Sequence, residues 1–212
     1  MLNMDSIKLI REIEERRKRA KEEAEELIEI LKTELFKRQE YAEHVLSVDY
    51  RIKEKSSILE KIEFFKLRYP EKSDLEILEE KIRDIIGITV ETRSVEDYII
   101  AFVGTVNAIQ EVKGLKMPKQ KDVLLHDGTN TGTKSSELWS NVNTKTNGLI
   151  FLSMYYRPEN GIPYEIQIAD RENIQRRNST HDEFKVQKYK EVRQQTNNSR
   201  EKEIPESSEE EK

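Results

Sequence analysis

The 212-residue sequence has no cysteine. That excludes disulfides, thiolate catalysis and cysteine-ligated zinc together. Histidine is nearly as scarce, and His44, His126 and His181 stand too far apart to give a metal-ligand spacing. No apolar run approaches the roughly 20 residues of a membrane span, and the N-terminus is charged rather than signal-like, so a cytoplasmic protein with no membrane partner is expected. Glycine is sparse, and Gly128 and Gly132 are not followed by a Lys-Ser/Thr pair at the spacing of a phosphate loop. There is no global excess of positive charge either: the net charge is −5, so a phosphate-binding surface must be a local cluster against an acidic average.

What is present is charge, at 37% of residues, concentrated toward the two ends. From Asp5 to about Leu46 neither proline nor glycine occurs, and Ile10, Ile13, Ala20, Ala24, Leu27, Leu31 and Leu35 mark a narrow apolar stripe on a long helix. The stripe is read as a packing face, either on the domain or against a second copy as a homo-oligomer, with Arg17 interrupting it. Val48 to Lys53 alternates as a short strand, and a helix follows from Ser56 or Ser57 to about Leu67. Arg51, Lys53, Ser57 and Lys61 thus gather at one strand-to-helix junction, which suits a phosphate cradle or, as plainly, surface charge.

Ser73 with Glu76 forms a capping box for the next helix. It runs toward Asp84 and then a buried strand over Ile86 to Thr92. Asp84 therefore sits where helix gives way to strand, near a core. An unpaired charge there is costly, so either a cation or metal meets Asp84 or it faces water. A helix over Val95 to Val112 and a strand over Asp122 to His126 come next. Asp127 to Thr146 reads as a long polar loop holding the single tryptophan, Trp139. Leu149 to Tyr156 and Ile162 to Ile168 then read as antiparallel strands around the Asn160-Gly161 turn. In the second of these, Glu165 and Gln167 share the face opposite Tyr164, Ile166 and Ile168. A helix begins at Asp170 and runs to about Val192. The expected organisation is a long helix over 1–46, a domain over 47–192 and a disordered acidic tail over 193–212.

In series, Arg51-x-Lys53 with Ser57-Ile58 and Lys61, Asp84-Ile85-Ile86-Gly87-Ile88, Asn143-x-Lys145-x-Asn147-Gly148 and Glu165-Ile166-Gln167-Ile168 resemble the synthetase domain of the RelA/SpoT family, between about Tyr50 and Lys190. The resemblance implies an α/β (α+β) fold with a nucleotidyltransferase-like mixed sheet flanked by helices, to which the long N-terminal helix is added. It implies a Mg²⁺-dependent pyrophosphokinase that moves pyrophosphate from ATP to the 3′ hydroxyl of GDP or GTP, giving (p)ppGpp. Arg51, Lys53, Ser57 and Lys61 would hold ATP. Asp84 would bind Mg²⁺, and Glu165 would share the metal or help deprotonate the attacking hydroxyl. Lys145, Asn147 and Gln167 would face the acceptor or its phosphates.

The acceptor half departs from the family pattern. Leu149 stands where the family has a tyrosine, Thr89 where it has an arginine, Ser153 where it has a histidine, and Ala169-Asp170 where it has Arg-Thr. Two alternatives therefore stand beside the guanine-nucleotide synthetase. One is a toxin-like member acting on another acceptor such as the tRNA 3′ end. The other is a catalytically weak protein that binds or senses nucleotides. A third expectation, from a different class, is an interaction protein that displays its N-terminal helix.

Overall fold

A computed structural model describes residues 4–114, 150–159 and 161–179, with the backbone of 123–127 and 143–145. The helices are α1 (Met4–Lys37), α2 (Gln39–Ala42), α3 (Lys55–Arg68), α4 (Asp74–Lys81), α5 (Tyr98–Lys113) and α6 (171–179). The strands are β1 (Val45–Ile52), β2 (Ile86–Thr92), β3 (Val123–Asp127), β4 (Asn143–Lys145), β5 (Ile150–Tyr156) and β6 (Tyr164–Asp170). They form one mixed sheet in the order β1-β2-β6-β5-β3-β4. Pairs β2–β6 and β3–β4 are parallel and the others antiparallel. The mixed sheet and flanking helices are the fold class that the resemblance implies, and the long N-terminal helix is the one read from the sequence.

Register separates the two faces of the sheet. Ile86, Tyr164 and Tyr156 lie in one row, Ile88, Ile166 and Met154 in the next, and Val90, Ile168 and Leu152 in a third. All of these are buried in a core that also takes the α1 stripe and the inner face of α5. Fully burying a side chain of this kind contributes about 1.5–3 kcal/mol, so α1 belongs to the same core as the sheet. Of the stripe read from the sequence, Ile13, Ala20, Ala24, Leu27, Leu31 and Leu35 are buried within the chain, whereas Ile10 is only half-buried and Leu9 takes the inward place beside it, so the stripe packs on the domain. Gly104 lets α5 come close: a Cβ there would lie 2.7 Å from the Leu35 side chain and 2.9 Å from Tyr41.

Several boundaries differ from the sequence reading. The first helix ends at Lys37, and β1 begins at Val45, three residues before the expected Val48. Strand β1 pairs with β2 from Val45 onward, and this long-range pairing overrides the helical composition of the segment. The expected loop over 127–146 contributes strand β4, paired in parallel with β3. By contrast β2 spans Ile86–Thr92 as read, and the Ser73 hydroxyl accepts from the Glu76 N–H at 3.2 Å while the Glu76 carboxylate accepts from the Ser73 N–H at 2.7 Å. The acidic tail and the chain beyond 179 lie outside the described residues.

Candidate active site

The turn after β1 and the segment before β2 are tied together at the backbone, where the Lys53 N–H donates to the Ile85 carbonyl at 2.9 Å. That bond brings the Lys53 side chain to Asp84, and α3 brings Lys61 to it from above the same strand ends. Lys53 Nζ lies 2.5 Å from Asp84 Oδ2, and Lys61 Nζ lies 2.8 Å from Oδ1 and 2.9 Å from Oδ2. The Asp84 side chain is only 16% exposed. Burial by itself would raise its carboxyl, but the charges and hydrogen bonds of Lys61 and Lys53 outweigh burial and hold it well below the usual carboxylate range. Burial works on Lys53 as well, lowering its ammonium despite Asp84, with Lys61 adding like-charge repulsion. Two lysines thus meet the charge that made Asp84 conspicuous in the sequence.

Arg17 holds this turn from outside. Its Nε donates to the Lys53 carbonyl at 3.0 Å and its Nη2 pairs with Glu54 at 3.1 Å. The residue that interrupts the α1 stripe is therefore a positioning residue for Lys53, and the interruption was its signal in the sequence.

The face of the sheet opposite the core is polar. Arg51, Gly87, Glu165 and Tyr155 form one row in register, and Asp49, Thr89, Gln167 and Ser153 form the next. Glu165 is 8% exposed, so its strand face is not the exposed one that alternation alone would also allow. Burial first, then the Glu165 charge, pushes the Tyr155 hydroxyl well above its ordinary pKa, with Asp84 adding to the effect. Lys53 likewise feels both Asp84 and Glu165. Gly87 serves a close approach: a Cβ there would meet Arg51 Nε at 3.3 Å and its Cγ at 3.4 Å, so the arginine lies flat across β2. From α6, Arg177 Nη1 donates to Gln167 Oε1.

Of the residues singled out in the sequence, Arg51, Lys53, Lys61, Asp84, Glu165 and Gln167 are brought to one end and one face of the sheet. Ser57 lies in the first turn of α3, one turn before Lys61. Lys145 closes β4, whose backbone pairs with His126 at the far edge of the sheet. Asn147 and Leu149 lie outside the described residues. The sequence reading passed over Tyr155, whose signal is its alternation onto the same strand face as Ser153, and nothing in the sequence pointed to Arg177.

A cleft of about 720 Å³ opens at the other end of the strands, between Arg93, Ser94, Ile150, Asp170 and Arg171. Two of its arginines are already engaged: Arg171 pairs with Glu91 at 2.8 Å, and Arg93 donates to the Glu43 carbonyl at 2.7 Å.

No family model matches the chain, and no curated protein matches it. Among solved structures it is similar to a GTP pyrophosphokinase family protein from Streptococcus pneumoniae, at 18% identity over 90% of this chain and 92% of that one, with a TM-score of 0.43. It is also similar to the small alarmone synthetase 1 from Bacillus subtilis bound to its product pppGpp, at 17% identity over 89% and 95%, with a TM-score of 0.42. Likeness at this level carries no statement about the chemistry of this chain, which rests on its own residues.

Proposed function

We propose that the protein is an ATP-dependent pyrophosphokinase of the RelA/SpoT type, transferring pyrophosphate from ATP to the 3′ hydroxyl of GDP or GTP. The observation that supports this most is the joint placement of Asp84, held by Lys53 and Lys61, and buried Glu165 at the same strand ends. Phosphoryl-type transfer needs charge neutralisation and in-line positioning more than a covalent nucleophile. Here Lys53, Lys61 and Arg51 supply mobile positive charge and the two carboxylates supply fixed negative charge.

In this reading the lysines exchange partners when ATP binds, turning from Asp84 toward the triphosphate. The acceptor 3′ oxygen bonds to the β-phosphorus of ATP, the bond from that phosphorus to the bridging oxygen of the α-phosphate breaks, and AMP leaves. Glu165, desolvated and beside Tyr155, takes the hydroxyl proton.

Two carboxylates form an oxygen donor set that suits Mg²⁺, which takes few protein ligands and completes its shell with water and phosphate oxygens. Asp84 and Glu165 would hold the ion once a lysine yields an Asp84 oxygen, and the ion would supply neutralisation of phosphate charge.

The test is AMP formation from ATP and Mg²⁺ by the purified chain, with GDP, GTP and bulk tRNA offered separately. AMP that depends on a guanine nucleotide is the expected result. AMP formed only with tRNA would reassign the acceptor, in line with Leu149 at the family's tyrosine position. ATP binding without AMP from any acceptor would overturn the transferase reading.

A further inference from the structure

Arg177 has no assigned part in the reading above, yet α6 delivers it onto the polar face of the sheet. It is half-buried, and its one described hydrogen bond is to the neutral Gln167 carboxamide. Arg51 approaches from the other side, across Gly87. Burial first, then the positive charge of Arg51, pulls the Arg177 guanidinium below its ordinary value, against the attraction of Glu165. Among the described residues neither Arg51 nor Arg177 has a carboxylate at ion-pair distance. Five other arginines, Arg11, Arg16, Arg17, Arg38 and Arg171, each pair with a glutamate, and Arg93 and Arg157 are met by backbone carbonyls.

Bringing the exposed Arg51 guanidinium toward the half-buried one of Arg177 is unfavourable unless an anion joins them. Between Arg177 and Arg51, which lies over Gly87, strand β2 presents only the small side chain of Thr89. The Gln167 carboxamide fixes the orientation of Arg177 while using one of its five N–H donors, which leaves the others for a planar, forked contact with phosphate oxygens. Thr89, in register with Gln167, is the position where the family pattern carries an arginine.

We infer that Arg177 is a nucleotide-binding residue, forming with Arg51 a two-guanidinium clamp for a phosphate group and supplying from α6 the cation that Thr89 does not. The clamp deepens the proposed function and rests on it for the identity of the ligand as a nucleotide polyphosphate.

The experiment is calorimetric titration of the full chain with ATP and, separately, with inorganic tripolyphosphate, alongside AMP formation. The proteins are wild type, Arg177→Ala, Arg177→Lys and Arg51→Ala. Loss of a charge-assisted phosphate contact is expected to weaken binding of both probes by roughly tenfold to a hundredfold in Arg177→Ala. Arg177→Lys keeps the charge but not the fork, so it should fall between the two. This variant carries the test if the alanine variant unfolds below the wild-type melting temperature. Wild-type affinity in Arg177→Ala, with binding lost in Arg51→Ala, overturns the clamp and leaves the transferase reading standing. Arg177-dependent tripolyphosphate binding without AMP from any acceptor does the reverse. A wild-type chain that binds neither probe overturns the clamp as well.

Discussion

Asp84 and Asp170 bracket the parallel β2–β6 pair, one just before β2 and the other at the end of β6, and both are largely withdrawn from water. Asp170 is met by neutral donors fixed in the fold. The Tyr98 hydroxyl donates to Oδ2 at 2.8 Å, the Asn173 N–H to Oδ1 at 3.0 Å and the Asn173 amide to Oδ2 at 2.7 Å. The Tyr98 hydroxyl in turn accepts from the Asp170 N–H at 3.0 Å, and Asn173 Oδ1 accepts from the Ile150 N–H at 2.9 Å. Such a carboxylate locks α5, β5, β6 and α6 to one another. Asp84 is met instead by two ammonium groups on flexible stems, which can leave for another anion without breaking a strand or a helix. The same side chain is thus a structural joint at one end of the strands and an exchangeable ionic contact at the other.

The widest separation of the two should come from Asp84→Ala. AMP formation is expected to fall by about a hundredfold or more, as when a preorganised electrostatic group is removed from a phosphoryl-transfer site. The thermal midpoint should fall less than in Asp170→Ala, since Lys53 and Lys61 lose an ion pair but can turn to solvent. Asp170→Ala should give the opposite result: a loss of about 2–4 kcal/mol in urea unfolding, combining a helix cap with stranded buried donors. Activity per folded molecule should stay close to wild type. Large loss of turnover in a folded Asp170→Ala protein would break the comparison.

A finer test is Tyr98→Phe, which removes one buried donor from Asp170. It should cost about 1–2 kcal/mol of stability and leave nucleotide affinity unchanged.

The smallest effect is in pH. Both carboxyls titrate below their ordinary values in the fold. Their stabilising contributions are therefore complete above a pH of about 4 and are lost as the pH falls through the folded values. Urea midpoints measured from neutral pH downward should drop in the wild type and drop less steeply in Asp84→Asn and Asp170→Asn.

Much of this was readable from local pattern. The capping box at Ser73, the strand over Ile86–Thr92 and the hairpin of β5 and β6 follow from short-range rules. So does the opposition of Glu165 and Gln167 to Tyr164, Ile166 and Ile168. The cluster of Arg51, Lys53 and Lys61 was also legible, because all three lie within about three turns of one junction. What escaped was set by contacts distant in sequence. The start of β1 at Val45 is fixed by pairing with Thr92, and β4 exists only through β3. Arg177 reaches the site because α6 folds back over the strand that precedes it, and a lone arginine in a charged helix carries no mark of that. The lysine pairing of Asp84 was foreseen as a need for a cation and not as its identity, since spacing along the chain does not say which ammonium group arrives.

Arg17 joins the outside of the molecule to its chemistry. By gripping the Lys53 carbonyl from the middle of a 34-residue helix, it makes α1 a splint for the site. A force on that helix, whether from proteolysis, a fused tag or a protein that grasps its outer surface, would be felt first as slack in the turn that presents Lys53.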